Sequence, residues 1–183
     1  AGNPKPRMFR DDRSRSLINR MGFNNDGSLA VADRIRKNLD RKGPMPCPVF
    51  ANLGKSKITS NDDALVDYAT SMERLHDVVD GFVVNVSSPN TPSLRDLQHE
   101  EALKDLLAGL AQRLKELNAG VSLPRPMLVK FAPDLATDTL LSLVDVAREA
   151  GADGVVLTNT TVERGPPSHP KHARFLAEQG GLS

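Results

Sequence analysis

Four short apolar runs, rich in β-branched residues, alternate with amphipathic helical patterns, and that alternation constrains the fold more than anything else in the sequence. The runs are Val49–Leu53, Phe82–Val86, Met127–Phe131 and Val155–Leu157, each nearly free of polar residues. Strands covered on both faces read as continuous apolar runs, the mark of a parallel sheet. Between them, Val31, Ile35 and Leu39 share one helical face, stopped by Gly43-Pro44. Leu65, Tyr68, Ala69, Met72 and Leu75 make a second stripe, with Ser60 or Asn61 as its expected cap. Leu103, Leu106, Leu107, Leu110, Leu114 and Leu117 make the strongest, ended by Gly120, and Leu140, Leu141, Val144 and Ala147 make the last, ended by Gly151. Repeated strand–helix units need right-handed crossovers and parallel strands. The α/β solutions are an open doubly wound sheet or a (β/α)8 barrel. A full barrel takes roughly 250 residues, and four strands within 183 residues fall short of it. The expectation is one domain, 1–183, holding about four central β/α units of a (β/α)8 TIM barrel, with the open sheet as the alternative. Ahead of these units, Ala1–Phe9 reads as an extended lead-in, Asp11–Arg20 as a short helical turn, and Met21–Gly27 as a loop.

Composition narrows the partners. A formal net charge of +1 gives no electrostatic case for nucleic acid. Trp is absent and Tyr occurs once, which leaves no base-stacking platform. The single cysteine, Cys47, lies between two prolines, rules out an intrachain disulfide, and is expected to be buried or inert. No stretch has the apolar length of a membrane span, and no signal-peptide pattern opens the sequence.

The polar residues gather at the ends of the strands. The first run ends in Asn52-Leu53-Gly54-Lys55, and the second in Asn85-Val86-Ser87-Ser88-Pro89-Asn90-Thr91. The third carries Lys130 and ends in Ala132-Pro133-Asp134, and the fourth in Thr158-Asn159-Thr160-Thr161. In either parallel architecture, ligands bind at the carboxyl edge of the strands. An Asn amide offers both donor and acceptor, so Asn52, Asn85, Asn90 and Asn159 suit a flat ring with alternating C=O and N–H groups. One lysine among them marks a place where negative charge develops, as at the N1/O2 edge of a reduced flavin. Each piece also has a purely structural reading. Ser88-Pro89-Asn90-Thr91-Pro92 has turn chemistry, Lys130 can snorkel from a strand end, and the threonines can cap one. Two other functions fit the same edge: a Schiff-base aldolase using Lys130, and a non-catalytic nucleotide or phosphate module.

Taken in order, Asn19-Arg20-Met21-Gly22-Phe23-Asn24, the four strand-end segments above, and Gly180-Gly181-Leu182-Ser183 resemble the signatures of class 2, quinone-using dihydroorotate dehydrogenases. The resemblance runs from near residue 3 to the last residue, and the segment Asn85–Thr91 carries most of its specificity. It implies a (β/α)8 barrel with FMN at its top, oxidation of dihydroorotate to orotate in pyrimidine (UMP) biosynthesis, and a quinone as final electron acceptor. By the same resemblance, Ser88 is the base that takes the C5 proton while hydride leaves C6 for flavin N5, and Thr91 and Phe23 belong to the proton relay. Asn19, Arg20, Met21, Gly22, Phe23, Asn85, Asn90, Asn159 and Thr160 form the pyrimidine site, and Asn52, Asn85, Lys130 and Thr158 contact FMN. Sister classes place a cysteine at the base position, so Ser88 points to the quinone class. The family's amino-terminal helices for membrane and quinone, and its later barrel units, are expected outside these 183 residues. The implied location is the surface of a membrane, bacterial cytoplasmic or mitochondrial inner.

A serine hydroxyl is a weak base, and no His adjoins Ser88, so its strength must come from water exclusion and a relay. Thr91–Gln98 is expected to close over the site. His169 and His172 form His-x-x-His in a Pro-rich stretch and are assigned to a solvated loop rather than a metal. His76 and His99 are read as surface or capping residues, the charged cluster Arg10–Arg20 as a solvated face, and Asp134 as a loop-to-helix junction.

Overall fold

The computed structural model describes residues 2–91 and 93–183; Ala1, at the head of the lead-in, and Pro92, in the expected closing segment, lie outside the described residues. Strands β3 (Phe50–Leu53), β4 (Gly81–Asn85), β5 (Met127–Lys130) and β6 (Gly154–Val156) pair in parallel, in sequential order. Helices α1 (Ser28–Lys42), α2 (Ala64–Leu75), α3 (Glu100–Leu117) and α4 (Thr137–Glu149) pack each against the next in one row. A doubly wound sheet reverses its strand order and divides its helices between two faces. Sequential strands under a single row of helices are the arrangement of a (β/α)8 barrel, of which this sheet contributes four strands.

The core lies between sheet and helices. Phe82, Val84 and Val86 from the β4 side and Met127, Val129 and Phe131 from the β5 side meet Tyr68, Met72, Leu103, Leu107, Leu110 and Leu143, all buried. Burial of each large apolar side chain contributes roughly 1.5–3 kcal/mol. Alternation along the strands turns Asn52, Val83, Asn85, Leu128 and Lys130 to the opposite face. That concave face is only partly covered, and Asn52 on it is exposed.

A second sheet closes the carboxyl edge. Strands β1 (Met8–Asp11) and β2 (Ser16–Asn19) form an antiparallel hairpin, and β7 (Gly181–Leu182) pairs with β2. The short helical turn expected over Asp11–Arg20 is therefore a hairpin. Its tip is fixed by Asp11, whose carboxylate accepts from the Ser14 N–H at 2.9 Å and its hydroxyl at 2.5 Å, and by Arg15 in the left-handed region at φ 49°. Such aspartate-anchored turns compete with a helix for the same backbone groups.

Other expectations are corrected locally. On α4 the buried stripe runs through Leu143 and Ala147, and Leu141 points outward. Leu65 on α2 is likewise largely exposed, and Ala64 takes the inward position. That helix starts one residue after Asp63, whose N–H is held by Ser60 Oγ at 3.2 Å. Cys47 is exposed, not buried. His76 caps the carboxyl end of α2, one of its two expected readings, and is buried rather than at the surface, with Nε2 3.0 Å from Asn118 Oδ1 and its ring stacked on Phe82. The loop assigned to His169 and His172 instead holds a short helix, α5 (Pro170–Leu176). His169 Nδ1 accepts from the His172 N–H at 3.1 Å and caps it. No helix among the described residues is long and apolar enough to cross a membrane.

Candidate active site

The residues expected at the strand ends come together. Asn85 ends β4, and its Oδ1 accepts from the Ser87 N–H at 3.1 Å, the Ser87 hydroxyl at 3.0 Å and Asn159 Nδ2 at 3.4 Å. The Ser87 backbone donor fixes which way this amide faces, and leaves Asn85 Nδ2 with no partner among the described residues. Asn159 also donates to Ser87 Oγ at 3.0 Å, while its Oδ1 accepts from the Thr160 N–H at 2.8 Å. Tips of β4 and β6, on either side of β5, are thereby joined by side chains.

A second network continues from the first. Ser88 is buried, and its Oγ accepts from the Asn90 N–H at 3.3 Å. Asn90 Nδ2 reaches Asn19 Oδ1, at the end of β2, at 3.4 Å. Asn3 Nδ2 donates to the Arg20 carbonyl at 3.0 Å and to that of Asn90 at 3.4 Å. The small antiparallel sheet thus carries Asn19–Phe23 to the Ser88 turn. The fit is tight at Gly181, where any Cβ would overlap Thr160 Oγ1, and at Gly54, where it would overlap the Phe23 ring. Phe23 and Thr91 line one cleft of about 1040 Å³ together with Asn52. Ser88 and Asn90 face an adjoining groove of about 450 Å³.

Lys130 stands directly beside Asn85 in the β4–β5 register. Neither Lys130 nor Asn52 has a hydrogen-bond or ion-pair partner among the described residues, so a cation and an amide are presented on the concave face. Two expected residues are placed differently. The Arg20 guanidinium turns away, bonded to Glu178 at 2.8 Å and the Pro6 carbonyl at 3.1 Å and lying 4.5 Å above the Phe9 ring. Thr158 is exposed, and among the described residues its hydroxyl meets only the Asn159 carbonyl, at 3.2 Å. The expected closing segment is also shorter, because Leu94–Gln98 is a 3-10 turn whose Leu94 and Leu97 are buried against α3.

Several site residues escaped the sequence reading. Ser87, fully buried, is the junction of the first network. The Tyr68 hydroxyl donates to the Asn85 carbonyl at 2.8 Å from beneath the sheet. Lys55 is buried, its ammonium held by the carbonyls of Thr59 and Ser56. Asp134, read as a loop junction, pairs with Arg95 at 2.8 Å and accepts from the Thr161 hydroxyl. Burial alone pushes its carboxyl up, but hydrogen bonds from Thr161, Val162 and Arg95 outweigh that and hold it below the usual range. Periodicity could flag none of these, since their partners are side chains brought in from other strand ends or main-chain groups, neither of which leaves a repeat in the sequence.

Comparison with known proteins agrees with this geometry. A family model described as dihydroorotate dehydrogenase matches residues 1–183. The chain is 46% identical over 183 residues to a protein of Thermobifida fusca named dihydroorotate dehydrogenase (quinone), and 49% identical over 185 residues to one of the same name from Anaeromyxobacter sp.. Each match covers all of this chain but only 47% and 48% of the relatives, so the chain spans about half their length. Among solved structures, ligand-free DHODH from Eimeria tenella superposes with a TM-score of 0.83 at 35% identity, covering all of this chain and 53% of that one. The same enzyme in complex with ferulenol gives 0.85 at 32%, covering all of this chain and 52% of that one.

Proposed function

Because the chain belongs to the dihydroorotate dehydrogenase family, we propose that it supplies the pyrimidine half of an active site that oxidises dihydroorotate to orotate, a step of pyrimidine biosynthesis. The carrying observation is the convergence of Ser88, Asn90, Asn19, Asn85 and Asn159 in two hydrogen-bond networks that adjoin at the Ser87-Ser88 peptide, at one edge of a parallel sheet. Dihydroorotate is a ring edged by C=O and N–H groups, puckered only at its tetrahedral C5 and C6, and Asn side chains meet both kinds.

Ser88 Oγ takes the proton from C5, the C6 hydrogen leaves with its electron pair, and a C5=C6 double bond results. The Asn90 N–H holds that oxygen as an acceptor, and burial keeps bulk water from competing for it. Thr91, buried next to Asn90, and Phe23, which covers Gly54, flank the path by which the proton leaves. The residues fit FMN: Lys130, with no side-chain partner among the described residues, would offer it a cation, Asn52 and Asn85 would offer amides on the same face, and Thr158 would lie at the neighbouring tip. A bound FMN would supply the acceptor for the C6 hydride and the electron link to a quinone. In this reading, further barrel units and a segment that contacts quinone and a membrane surface would complete the enzyme outside residues 1–183. The half-bare concave face supports that reading, as does a chain about half the length of its relatives.

The test is anaerobic bleaching of the full-length, flavin-loaded protein by dihydroorotate. Ser88→Ala is expected to abolish bleaching while the flavin stays bound. Bleaching at the wild-type rate in that variant would refute the role of Ser88.

A further inference from the structure

Arg95 lies seven residues after Ser88 and has no place in the chemistry above, yet its side chain joins three strand-end loops. Nε donates to the Ser87 carbonyl at 3.1 Å, one terminal nitrogen donates to the Thr160 carbonyl at 3.4 Å, and the other pairs with Asp134 Oδ2 at 2.8 Å. Those partners follow β4, β6 and β5 respectively. Asp134 extends the joint by accepting from the Thr161 hydroxyl and from the Val162 N–H at 3.2 Å. The base of the guanidinium is itself anchored, because Leu94 and Leu97 on either side of it are buried against α3.

The Ser87 carbonyl belongs to the peptide that leads into Ser88. Holding that peptide plane sets the direction in which the Ser88 side chain leaves the backbone. The Thr160 carbonyl belongs to the segment that presents Asn159 and Thr160. One rigid, planar group therefore fixes the proposed base relative to the proposed substrate-binding amide. Exposure of 25% for Arg95 and 12% for Asp134 sets this pair apart from the chain's other, more open ion pairs. A guanidinium can serve three acceptors at fixed angles, whereas a lysine is a point charge on a flexible stem.

We propose that Arg95 and Asp134 form a positioning pair that sets the alignment of Ser88 against the substrate bound at Asn159 and Thr160. This rests on the reading of Ser88 as the base. Both act through the backbone of the loops that carry Ser88 and Asn159; Arg95 also lines the groove that Ser88 faces, whereas Asp134 does not.

The experiment uses the full-length, flavin-loaded protein with Arg95→Lys and Asp134→Asn, the latter carrying the test should the former not fold. Three quantities are read: the urea midpoint, the rate of anaerobic flavin reduction, and its isotope effects with dihydroorotate deuterated at C5 or at C6. Arg95→Lys keeps a charge opposite Asp134 but loses the fixed carbonyl contacts. Its urea midpoint and flavin content are expected to stay near wild type while reduction slows by about 10-fold or more, on the scale that small misplacements cost. The C5 isotope effect should grow while the C6 effect does not, since only proton removal has lost its alignment. Asp134→Asn should slow reduction and raise the C5 effect in the same way, with flavin still bound, while its urea midpoint falls modestly at neutral pH through loss of the stabilised carboxylate. A wild-type rate in both variants, or a loss that tracks flavin content and leaves the C5 effect unchanged, overturns the proposal. Failure of the underlying reading shows separately, as undiminished bleaching in Ser88→Ala.

Discussion

Replacing Tyr68 by phenylalanine removes one oxygen from the centre of the fold and tests whether the site is held from beneath. The ring lies on α2 among Met72, Phe82 and Leu107 and is 1% exposed. Its hydroxyl donates to the Asn85 carbonyl at 2.8 Å. Burial pushes the phenol far up, with the Lys55 N–H opposing and Asp67 adding, so the donor survives at pH values where an exposed tyrosine ionises. Tyr68→Phe keeps the packing, so no cavity opens, but leaves the Asn85 carbonyl without this donor. A buried polar group stripped of its partner costs about 1–3 kcal/mol. With a urea slope of about 3 kcal/mol/M, that lowers the midpoint by roughly 0.3–1 M at unchanged slope. The assay is urea unfolding of the full-length protein followed by far-ultraviolet circular dichroism. Orotate affinity, read from the flavin spectrum, should weaken with it, because the Asn85 amide organises Ser87 and Asn159. A midpoint within about 0.1 M of wild type, or a full loss of stability with orotate binding intact, would refute the link between this hydroxyl and the site.

Two further perturbations separate packing from charge. Gly181→Ala forces a methyl group into Thr160 Oγ1 at a backbone conformation alanine tolerates, so its cost of about 1–3 kcal/mol is purely steric, and a urea midpoint equal to wild type would contradict it. Asp134 is held below its ordinary value when folded, so its charge adds stability that is fully present above the unfolded carboxylate range and is lost as pH falls through the depressed folded value. The stability gap between wild type and Asp134→Asn should stay constant at neutral pH and shrink below about pH 4, and a gap that widens on acidification would reverse the sign argued here.

The parts of the fold legible in the sequence are those whose partners are apolar and near in sequence. All four parallel strands fall within one residue of their expected bounds, and the leucine stripe of α3 is buried as its spacing requires. Helix α4 shows the limit of the method: Leu140 and Leu141 are adjacent, and only their neighbours in space decide which one turns inward. The hairpin of β1 and β2 was hidden for a different reason. Its third strand, β7, lies more than 160 residues away, and its tip is set by one aspartate carboxylate rather than by an Asn-Gly or Asp-Gly pair. At the site, the Asn, Ser and Lys residues stood out because polar groups are unusual at the ends of buried strands. Arg95 did not, because two of its three acceptors are main-chain carbonyls, which every residue carries.

The proposed function asks this edge to accept anionic ligands although the chain is nearly neutral at +1. Three acids are engaged in structural bonds: Asp134 by Arg95, Glu178 by Arg20, and Asp67 by the Ser56 N–H at 2.6 Å and its hydroxyl at 3.2 Å, while Asp96, which lines the groove that Ser88 faces, has no side-chain partner among the described residues. Lys130 has no such partner among the described residues, and the amides around it carry no charge. Lys130 is therefore a local positive charge on the concave face. The proposed site, which would bind a carboxylate-bearing substrate and stabilise charge on a reduced ring, needs such a charge. A cation set among uncharged amides supplies it locally, without a net charge on the protein.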